Sequence, residues 1–183
     1  MQRLLDIVLA AVGLLVGLPL MAFLWILGYF DTGAPLFRQE RVGRHQRPFI
    51  LVKFPTMKLE SQAVPTHLAN PSSVTSLGAF LRRTKLDELP QLWNVLKGEM
   101  SLVGPRPCLF NQKELIEERA RRGVFEVRPG VTGLAQISGI DMSTPQRLAD
   151  VDAQMMAELN LANYFKYLVA TVTGSGRGDR IRR

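Results

Sequence analysis

The feature that most constrains this chain is an uninterrupted apolar segment close to its N-terminus. Residues 7–30 contain no Asp, Glu, Lys or Arg, and about 20 apolar residues are enough for a helix to cross a bilayer. A secretory signal peptide fits poorly, because Arg3 and Asp6 precede the segment together and no small-residue cleavage site closes it. We therefore expect residues 1–31 to be a retained, membrane-embedded helix.

Pro19 leaves two arrangements open for this helix. Proline removes a backbone hydrogen bond and clashes with the preceding turn, so a break at Leu18-Pro19 would give two arms that enter and leave the same leaflet. A mildly kinked helix could instead span the bilayer. Because proline is common in transmembrane helices, the residues taken alone favour the spanning form.

The charges around the segment predict its orientation. Arg3 precedes it, whereas four arginines follow it closely: Arg38, Arg41, Arg44 and Arg47. By the positive-inside rule, the C-terminal part of the chain lies in the cytoplasm. The single cysteine, Cys108, agrees with a reducing compartment.

Composition narrows the function classes. The 183 residues fit one domain, and 23 Lys and Arg against 16 Asp and Glu give a net charge of +7. Such a charge indicates an anionic partner, which could be a phosphate group, a nucleic acid or an acidic lipid. One Cys and two His exclude a disulfide framework, a cysteine-based zinc site and a metal site of the HExxH type.

The rest of the chain predicts an α+β, mostly helical fold. Two β-like runs, residues 36–42 and 49–54, flank a polar turn and predict a β-hairpin. Four helices are expected, over residues 77–83, 86–97, 111–122 and 145–160. Residues 60–76 read as a loop, and the apolar residues 159–172 are suited to the membrane surface. Residues 32–173 are predicted to form the cytoplasmic domain, and residues 174–183 form a basic tail.

The densest chemical signal is the adjacent acid pair Asp87-Glu88 at the expected start of a helix. The helix dipole there favours an ionised carboxylate, which makes Asp87 a candidate nucleophile and a ligand for a hard cation such as Mg²⁺. Arg82 lies just before the pair and could neutralise a phosphate. On the acid pair alone, simple helix capping is the commoner explanation.

Two stiff turns strengthen the phosphate interpretation. Pro105 and Pro107 bracket Arg106, so its guanidinium is presented from a rigid loop that loses little entropy on binding. Arg128 precedes a Pro-Gly turn, for which phosphate binding and a plain connection are equally good explanations. Three further arginines are expected to be solvated or to face lipid: Arg119, Arg121 and Arg122.

Four motifs together resemble a known family. They are Phe37-x-Gln39-x-Arg41-x-Gly43, Lys53-Phe54-x-Thr56-Met57, residues 87–107, and Arg128-Pro-Gly-Val-Thr-Gly-Leu-Ala-Gln136-x-x-Gly139. Over almost the whole chain these residues resemble the bacterial sugar transferases, which are small monotopic phosphoglycosyl transferases. The resemblance implies a membrane-associated catalytic domain with interfacial amphipathic helices and a re-entrant helix broken near Pro19, in place of a spanning one.

The same resemblance implies the reaction. A phospho-sugar moves from a UDP-sugar to polyprenyl phosphate, in most cases undecaprenyl phosphate, at the cytoplasmic face of the bacterial inner membrane, and UMP leaves. Asp87 would be the nucleophile and Mg²⁺ ligand, with Glu88 as its partner. Phosphates would be held by Arg82, Arg106 and Arg128, with Lys53 as a further candidate. Expected partners are therefore both substrates and an anionic lipid bilayer; a homodimer is possible.

Two other functions stay open at this point. A membrane-anchored binding module would make Asp87 dispensable, but no nucleic-acid signature supports a nucleic-acid partner. An ordinary glycosyltransferase would release UDP and form no covalent enzyme species. Pro55 and Ile140 depart from the family pattern, which leaves the sugar unassigned.

Overall fold

The computed structural model describes residues 1–58 and 73–174, and its fold is mostly helical. Seven α-helices are present in these ranges: α1 Gln2–Thr32, α2 Ser76–Thr84, α3 Gln91–Lys97, α4 Lys113–Arg121, α5 Leu134–Ile137, α6 Pro145–Glu158 and α7 Leu161–Val172. Four short strands accompany them: β1 Phe37–Val42, β2 Pro48–Lys53, β3 Ser101–Val103 and β4 Gly130–Thr132. Single 3₁₀ turns occur at Arg44–Gln46, Leu86–Glu88 and Val124–Glu126.

Helix α1 is one continuous helix that contains Pro19. The expected break at Leu18-Pro19 therefore does not divide it into two helical elements. A proline removes a single N–H donor, and apolar residues on both sides still favour helix. With 31 residues the helix is about 46 Å long. Within the described ranges it is the one helix long and apolar enough to cross a bilayer.

Both ends of α1 are attached to the rest of the protein. Near the N-terminus, the buried Asp6 accepts hydrogen bonds from Ser101 Oγ (2.8 Å), Leu102 N (3.0 Å) and Tyr164 Oη (2.8 Å). Near the C-terminus, Leu24 packs in a buried cluster that includes Phe54. The helix consequently lies along the domain for most of its length, while its outer face stays exposed and apolar.

The predicted hairpin is confirmed. Strands β1 and β2 pair antiparallel from Phe37 opposite Lys53 to Val42 opposite Pro48. The connecting turn uses left-handed backbone at His45 and Gln46, with φ values of 54° and 58°. Lys53 is the last residue of β2, and the next residue, Phe54, contacts the turn that carries the acid pair through its backbone N–H.

A second, parallel pair of strands was not predicted. Ser101 in β3 lies opposite Gly130 in β4, and Val103 lies opposite Thr132. Three-residue strands give almost no periodic signal in a sequence, and their pairing depends on contacts distant along the chain. Around them the main core brings together β3, α3, α6 and α7, with Met100, Met155 and Tyr164 among its buried members.

The predicted helices are found with shifted ends. The helix expected to start near Leu86 begins instead at Gln91, with Pro90 as its N-cap, and the acid pair lies in the 3₁₀ turn before it. Proline is tolerated at this boundary because its missing N–H would lack a partner there in any case. Most of the predicted loop at 60–76 and nearly all of the basic tail lie outside the described residues.

Candidate active site

Asp87 and Glu88 occupy a buried turn at the end of the hairpin. Helix α2 ends at Thr84 and is capped by Lys85, whose left-handed backbone (φ 61°) redirects the chain into the 3₁₀ turn Leu86–Glu88. The Phe54 N–H donates to the Asp87 carbonyl oxygen over 2.9 Å and ties the turn to the chain following β2. Both acidic residues are buried, with exposed fractions of 6% for Asp87 and 8% for Glu88.

The environment of Asp87 raises its pKa to about 6. Burial is the main cause, because it disfavours the charged carboxylate, and the neighbouring Glu88 carboxylate adds repulsion. Lys53, Arg106 and Arg82 oppose the shift. We expected a helix dipole to favour the ionised form of Asp87. A single 3₁₀ turn has only a small dipole, so the effect of burial on the pKa is larger. At neutral pH the carboxylate is still mostly ionised, and its higher basicity suits a nucleophile.

Three basic side chains face this pair, and all three were predicted from the sequence. Arg106 Nη1 lies 3.1 Å from Glu88 Oε1. Arg82 Nε donates to Thr56 Oγ1 over 2.8 Å, which orients its guanidinium from α2. The Lys53 ammonium lies 5.4 Å from the centre of the Phe37 ring. The structure therefore brings Lys53, Arg82 and Arg106 together around Asp87 and Glu88.

The loop that carries Arg106 is fixed from behind by a buried ion pair. Arg119 of α4 donates through Nε (3.0 Å) and Nη2 (2.7 Å) to Asp152 Oδ2 of α6, and through Nη1 (2.8 Å) to the Arg106 carbonyl oxygen. Only 1% of Arg119 is exposed. The expectation that Arg119 is solvated or faces lipid is wrong, because its guanidinium is buried and hydrogen-bonded to these internal acceptors.

Arg119 and Asp152 support the Arg106 loop, and the sequence analysis did not identify this role. A signal was nevertheless present. Arg119 lies one helical turn after the buried Leu115, and Asp152 lies one turn after the buried Leu148. A charged residue at a core position of an amphipathic helix indicates a buried partner.

Close backbone contact also supports the Arg106 loop. The Gly130 N–H donates to the Pro105 carbonyl oxygen, and the Gly104 N–H donates to the Thr132 carbonyl oxygen, each over 2.8 Å. A Cβ atom on Gly130 would come within 2.1 Å of Gly104 N, so no side chain fits there. The Arg128-Pro-Gly turn therefore acts as a backbone support for the loop that carries Arg106.

Arg128 itself lies elsewhere. Its Nε donates to the Gly98 carbonyl oxygen over 2.8 Å, at the C-terminal end of α3. Arg3 of α1 caps the same end, donating to Val95 O (2.7 Å) and Leu96 O (3.0 Å). Because the acid pair precedes the opposite end of α3, the structure does not bring Arg128 together with Asp87. Cationic side chains at a helix C-terminus stabilise it through its free carbonyls and dipole.

The acid pair has the oxygen donors that a hard cation such as Mg²⁺ prefers. No group of three or more His, Cys, Asp or Glu side chains within residues 1–58 and 73–174 could hold a metal ion unaided. Mg²⁺, however, commonly takes one or two protein carboxylates together with waters and substrate phosphates. Two adjacent buried carboxylates that repel each other fit that role, and Asp87 is the better candidate because Glu88 is paired with Arg106.

The chain is similar in sequence to several known proteins. The chain is 43% identical over 146 residues to the UDP-glucose:undecaprenyl-phosphate glucose-1-phosphate transferase of Escherichia coli; the match covers 76% of this chain and 31% of that protein. It is 38% identical over 156 residues to the undecaprenyl-phosphate galactose phosphotransferase of Salmonella typhimurium, covering 76% and 33%. It is 38% identical over 169 residues to the exopolysaccharide production protein ExoY of Rhizobium meliloti, covering 81% and 74%.

The share of each relative's length that the chain matches differs widely. The chain spans about a third of the length of the Salmonella and Escherichia relatives, whereas it spans about three quarters of ExoY. The family model for bacterial sugar transferases matches residues 1–177. The predicted family is therefore confirmed, and the chain belongs to the bacterial sugar transferases.

Proposed function

We propose that this protein is a phosphoglycosyl transferase that moves a phospho-sugar from a UDP-sugar to a membrane polyprenyl phosphate, as the initiating step in the assembly of a bacterial glycan. The observation that carries the proposal is Asp87, a buried carboxylate with a pKa of about 6 surrounded by Lys53, Arg82 and Arg106. Such a group is poised for nucleophilic attack beside cations that can hold phosphates. The Escherichia and Salmonella relatives carry names of this chemistry.

The reaction consists of two displacements at one phosphorus atom. An Asp87 carboxylate oxygen attacks the β-phosphorus of the UDP-sugar, the bond from that phosphorus to the bridging oxygen breaks, and UMP leaves with this oxygen. A phosphate oxygen of the polyprenyl phosphate then attacks the same phosphorus. The Asp87–phosphorus bond breaks, which restores the carboxylate and releases polyprenyl diphosphate-sugar. In this ping-pong order Asp87 is the only enzyme nucleophile, and the second displacement regenerates it.

The remaining site residues have distinct roles in this scheme. Arg106 holds Glu88 in place at 3.1 Å and, with Arg82 and Lys53, neutralises the phosphate charge that would otherwise repel Asp87. Mg²⁺ bound through Asp87 would add charge neutralisation at the phosphate oxygens. Arg128 supports α3 from its far end and acts on the site indirectly.

The attachment of α1 supports a monotopic arrangement. Asp6 and Leu24, which are 18 residues apart, are both buried against the same domain. A helix crossing the bilayer would carry one of these two points to the opposite membrane face. We therefore favour a helix that enters and leaves one leaflet or lies within it, with the catalytic domain on the cytoplasmic face of the inner membrane.

Helix α7 supports contact with the membrane surface. Its exposed apolar side chains recur at helical spacing, at Leu161, Phe165, Val169 and Val172. Tyr164, on its buried face, donates to Asp6 of α1, so α7 lies beside the membrane helix. An amphipathic helix with this pattern binds the interface between lipid headgroups and acyl chains, and the net positive charge of the chain favours anionic lipid.

The experiment is a nucleotide assay on the purified full chain with a panel of UDP-sugars, undecaprenyl phosphate and Mg²⁺. The proposal predicts UMP as the nucleotide product for at least one sugar. Stoichiometric UDP would instead indicate an ordinary glycosyltransferase. No nucleotide release with any sugar, together with salt-dependent binding to anionic vesicles, would indicate a binding module.

A further inference from the structure

An apolar groove lies between the membrane helix and the surface formed by the hairpin and α3. It has a volume of about 900 Å³. One wall is formed by α1, including Leu18, Met21 and Trp25, and the facing wall by the hairpin and α3, including Ile50, Val52 and Trp93. Its size lies within the range typical of sites for small organic ligands.

The groove borders the turn that carries the acid pair. Phe54 and Pro90 line it. The Phe54 N–H donates to the Asp87 carbonyl oxygen, and Pro90 follows Asp87 by three residues. A ligand lying in the groove would therefore have one end beside the turn that carries the nucleophile.

The lining favours a hydrocarbon over a sugar or nucleotide. Asn94 is the uncharged polar residue of the lining, and its amide is already used, accepting from Val52 N (3.2 Å) and donating to Ile50 O (2.7 Å) and Glu99 Oε2 (2.7 Å). Lys97 pairs with Glu99 at 2.6 Å, so its alkyl stem is what it offers to the groove. Sugars need convergent hydrogen-bonding groups, whereas this surface offers apolar walls.

The apolar side chains in the groove are left partly uncovered. Trp25 is 47% exposed, Ile50 47% and Trp93 56%. Large apolar side chains grouped around one concave surface indicate an interaction site. Because one wall is the membrane helix, a lipid chain can enter from the bilayer without crossing water. Arg38, which also lines the groove, matches an anionic headgroup in charge.

We propose that this groove binds the isoprene units next to the phosphate of the polyprenyl phosphate acceptor and so directs that phosphate to Asp87. The proposal rests on the proposed function, since it assigns the acceptor of that reaction a place on the protein. It identifies α1 as part of the substrate site in addition to its role as membrane anchor.

A binding measurement tests the groove without relying on turnover. Trp25 and Trp93 are the two tryptophans of the chain, and both line the groove. Titrating the full chain in detergent micelles with undecaprenyl phosphate should give a saturable change in tryptophan emission. Phosphatidic acid offers the same type of phosphate headgroup on acyl chains. An equal saturable response to phosphatidic acid would mean a general lipid site and would overturn the proposal.

A matched pair of variants tests the same point kinetically. Ala22 lines the groove, whereas Ala11 is exposed on α1 outside the lining. Ala22→Phe should fill the groove and raise the KM for undecaprenyl phosphate about tenfold, the effect of losing roughly two buried methylene groups. Ala11→Phe should leave this KM unchanged. Equal KM values for the two variants would overturn the proposal.

Two controls keep the result interpretable. Thermal unfolding of each variant shows whether it is folded, and Leu18→Phe is a second filling variant with the same expected rise in KM. Failure of the proposed function has a different signature. In that case wild-type protein releases no UMP from any UDP-sugar, while the tryptophan titration still reports whether the groove binds undecaprenyl phosphate.

Discussion

The Arg119 guanidinium donates a hydrogen bond to the backbone carbonyl oxygen of Arg106 over 2.8 Å. Arg119 also pairs with Asp152 at 2.7 Å, and Arg106 lies 3.1 Å from Glu88. A continuous path of polar contacts therefore joins the interior of the α4–α6 pair to the acid pair at the surface of the site. A buried ion pair adds little to stability, so its value here lies in fixing the Arg106 loop.

Replacing Arg119 should impair catalysis through position. Lysine keeps the positive charge beside Asp152 but cannot reproduce three directed hydrogen bonds, so Arg119→Lys should lower kcat/KM roughly 10- to 100-fold. Arg122 provides the matched control, since it pairs with Asp150 at 2.6 Å between the same two helices but is more exposed. Arg122→Lys should change kcat/KM less than about twofold. Equal losses in the two variants, measured by steady-state UMP release, would contradict a positioning role.

The pH dependence follows from the raised pKa of Asp87. The attacking form is the carboxylate, and its fraction falls as the pH drops through about 6. The single-turnover rate of UMP release should therefore be nearly constant above pH 7 and fall about tenfold per pH unit well below 6. A rate that stays constant down to pH 4.5 would contradict a raised pKa for Asp87 in the reacting complex.

Asp87→Asn should abolish turnover without lowering stability. The pKa of Asp87 is raised on folding, so the folded state binds this proton more tightly, and stability is lost as the pH rises from the unfolded value of 3.8 through about 6. A neutral asparagine removes this penalty, and the free energy of unfolding at pH 7 should equal or exceed that of the wild type. Asp150→Asn, at an exposed carboxylate, is the control and should retain turnover.

The sequence predicted that Arg128 binds phosphate, whereas the structure places it at the C-terminal end of α3. Because its Nε caps the Gly98 carbonyl oxygen at the end of α3, Arg128→Ala should lower the melting temperature by a few degrees, as for the loss of about 1 kcal/mol. The KM for the UDP-sugar should change less than twofold. A large rise in this KM at an unchanged melting temperature would restore the phosphate-binding role predicted from the sequence.

Membrane topology has its own test. In a Cys108→Ser background, a cysteine introduced at Gln2 should react with a membrane-impermeant maleimide only after cells are permeabilised. The physical reason is that Asp6 attaches this end of α1 to the same domain as Leu24. Glu117→Cys, at an exposed position of α4, is the control for the cytoplasmic side. Labelling of the Gln2→Cys variant in intact cells would indicate a spanning helix.

Much of the local structure could be predicted from the sequence, because its signals are local. Two β-like runs around a polar turn predicted the β1–β2 hairpin, and the helix expected over residues 145–160 corresponds to α6. The adjacent acids and the prolines around Arg106 indicated groups that do meet in the structure.

What could not be predicted depends on contacts distant along the chain. Arg119 meets Asp152 across 33 residues, and Arg128 meets Gly98 across 30, so neither local pattern shows the partner. The sequence did not predict that burial raises the pKa of Asp87, for a related reason. The helix dipole can be inferred from the sequence, but the burial of Asp87 in the folded chain cannot.

The most direct test of the central claim is the mass of the intact protein after incubation with a UDP-sugar and Mg²⁺ without acceptor lipid. A covalent phospho-sugar on Asp87 predicts a mass increase of one phospho-sugar unit, equimolar release of UMP, and loss of the adduct when undecaprenyl phosphate is added. Asp87→Asn should show no adduct. An unmodified wild-type chain that nevertheless forms polyprenyl diphosphate-sugar would contradict the account.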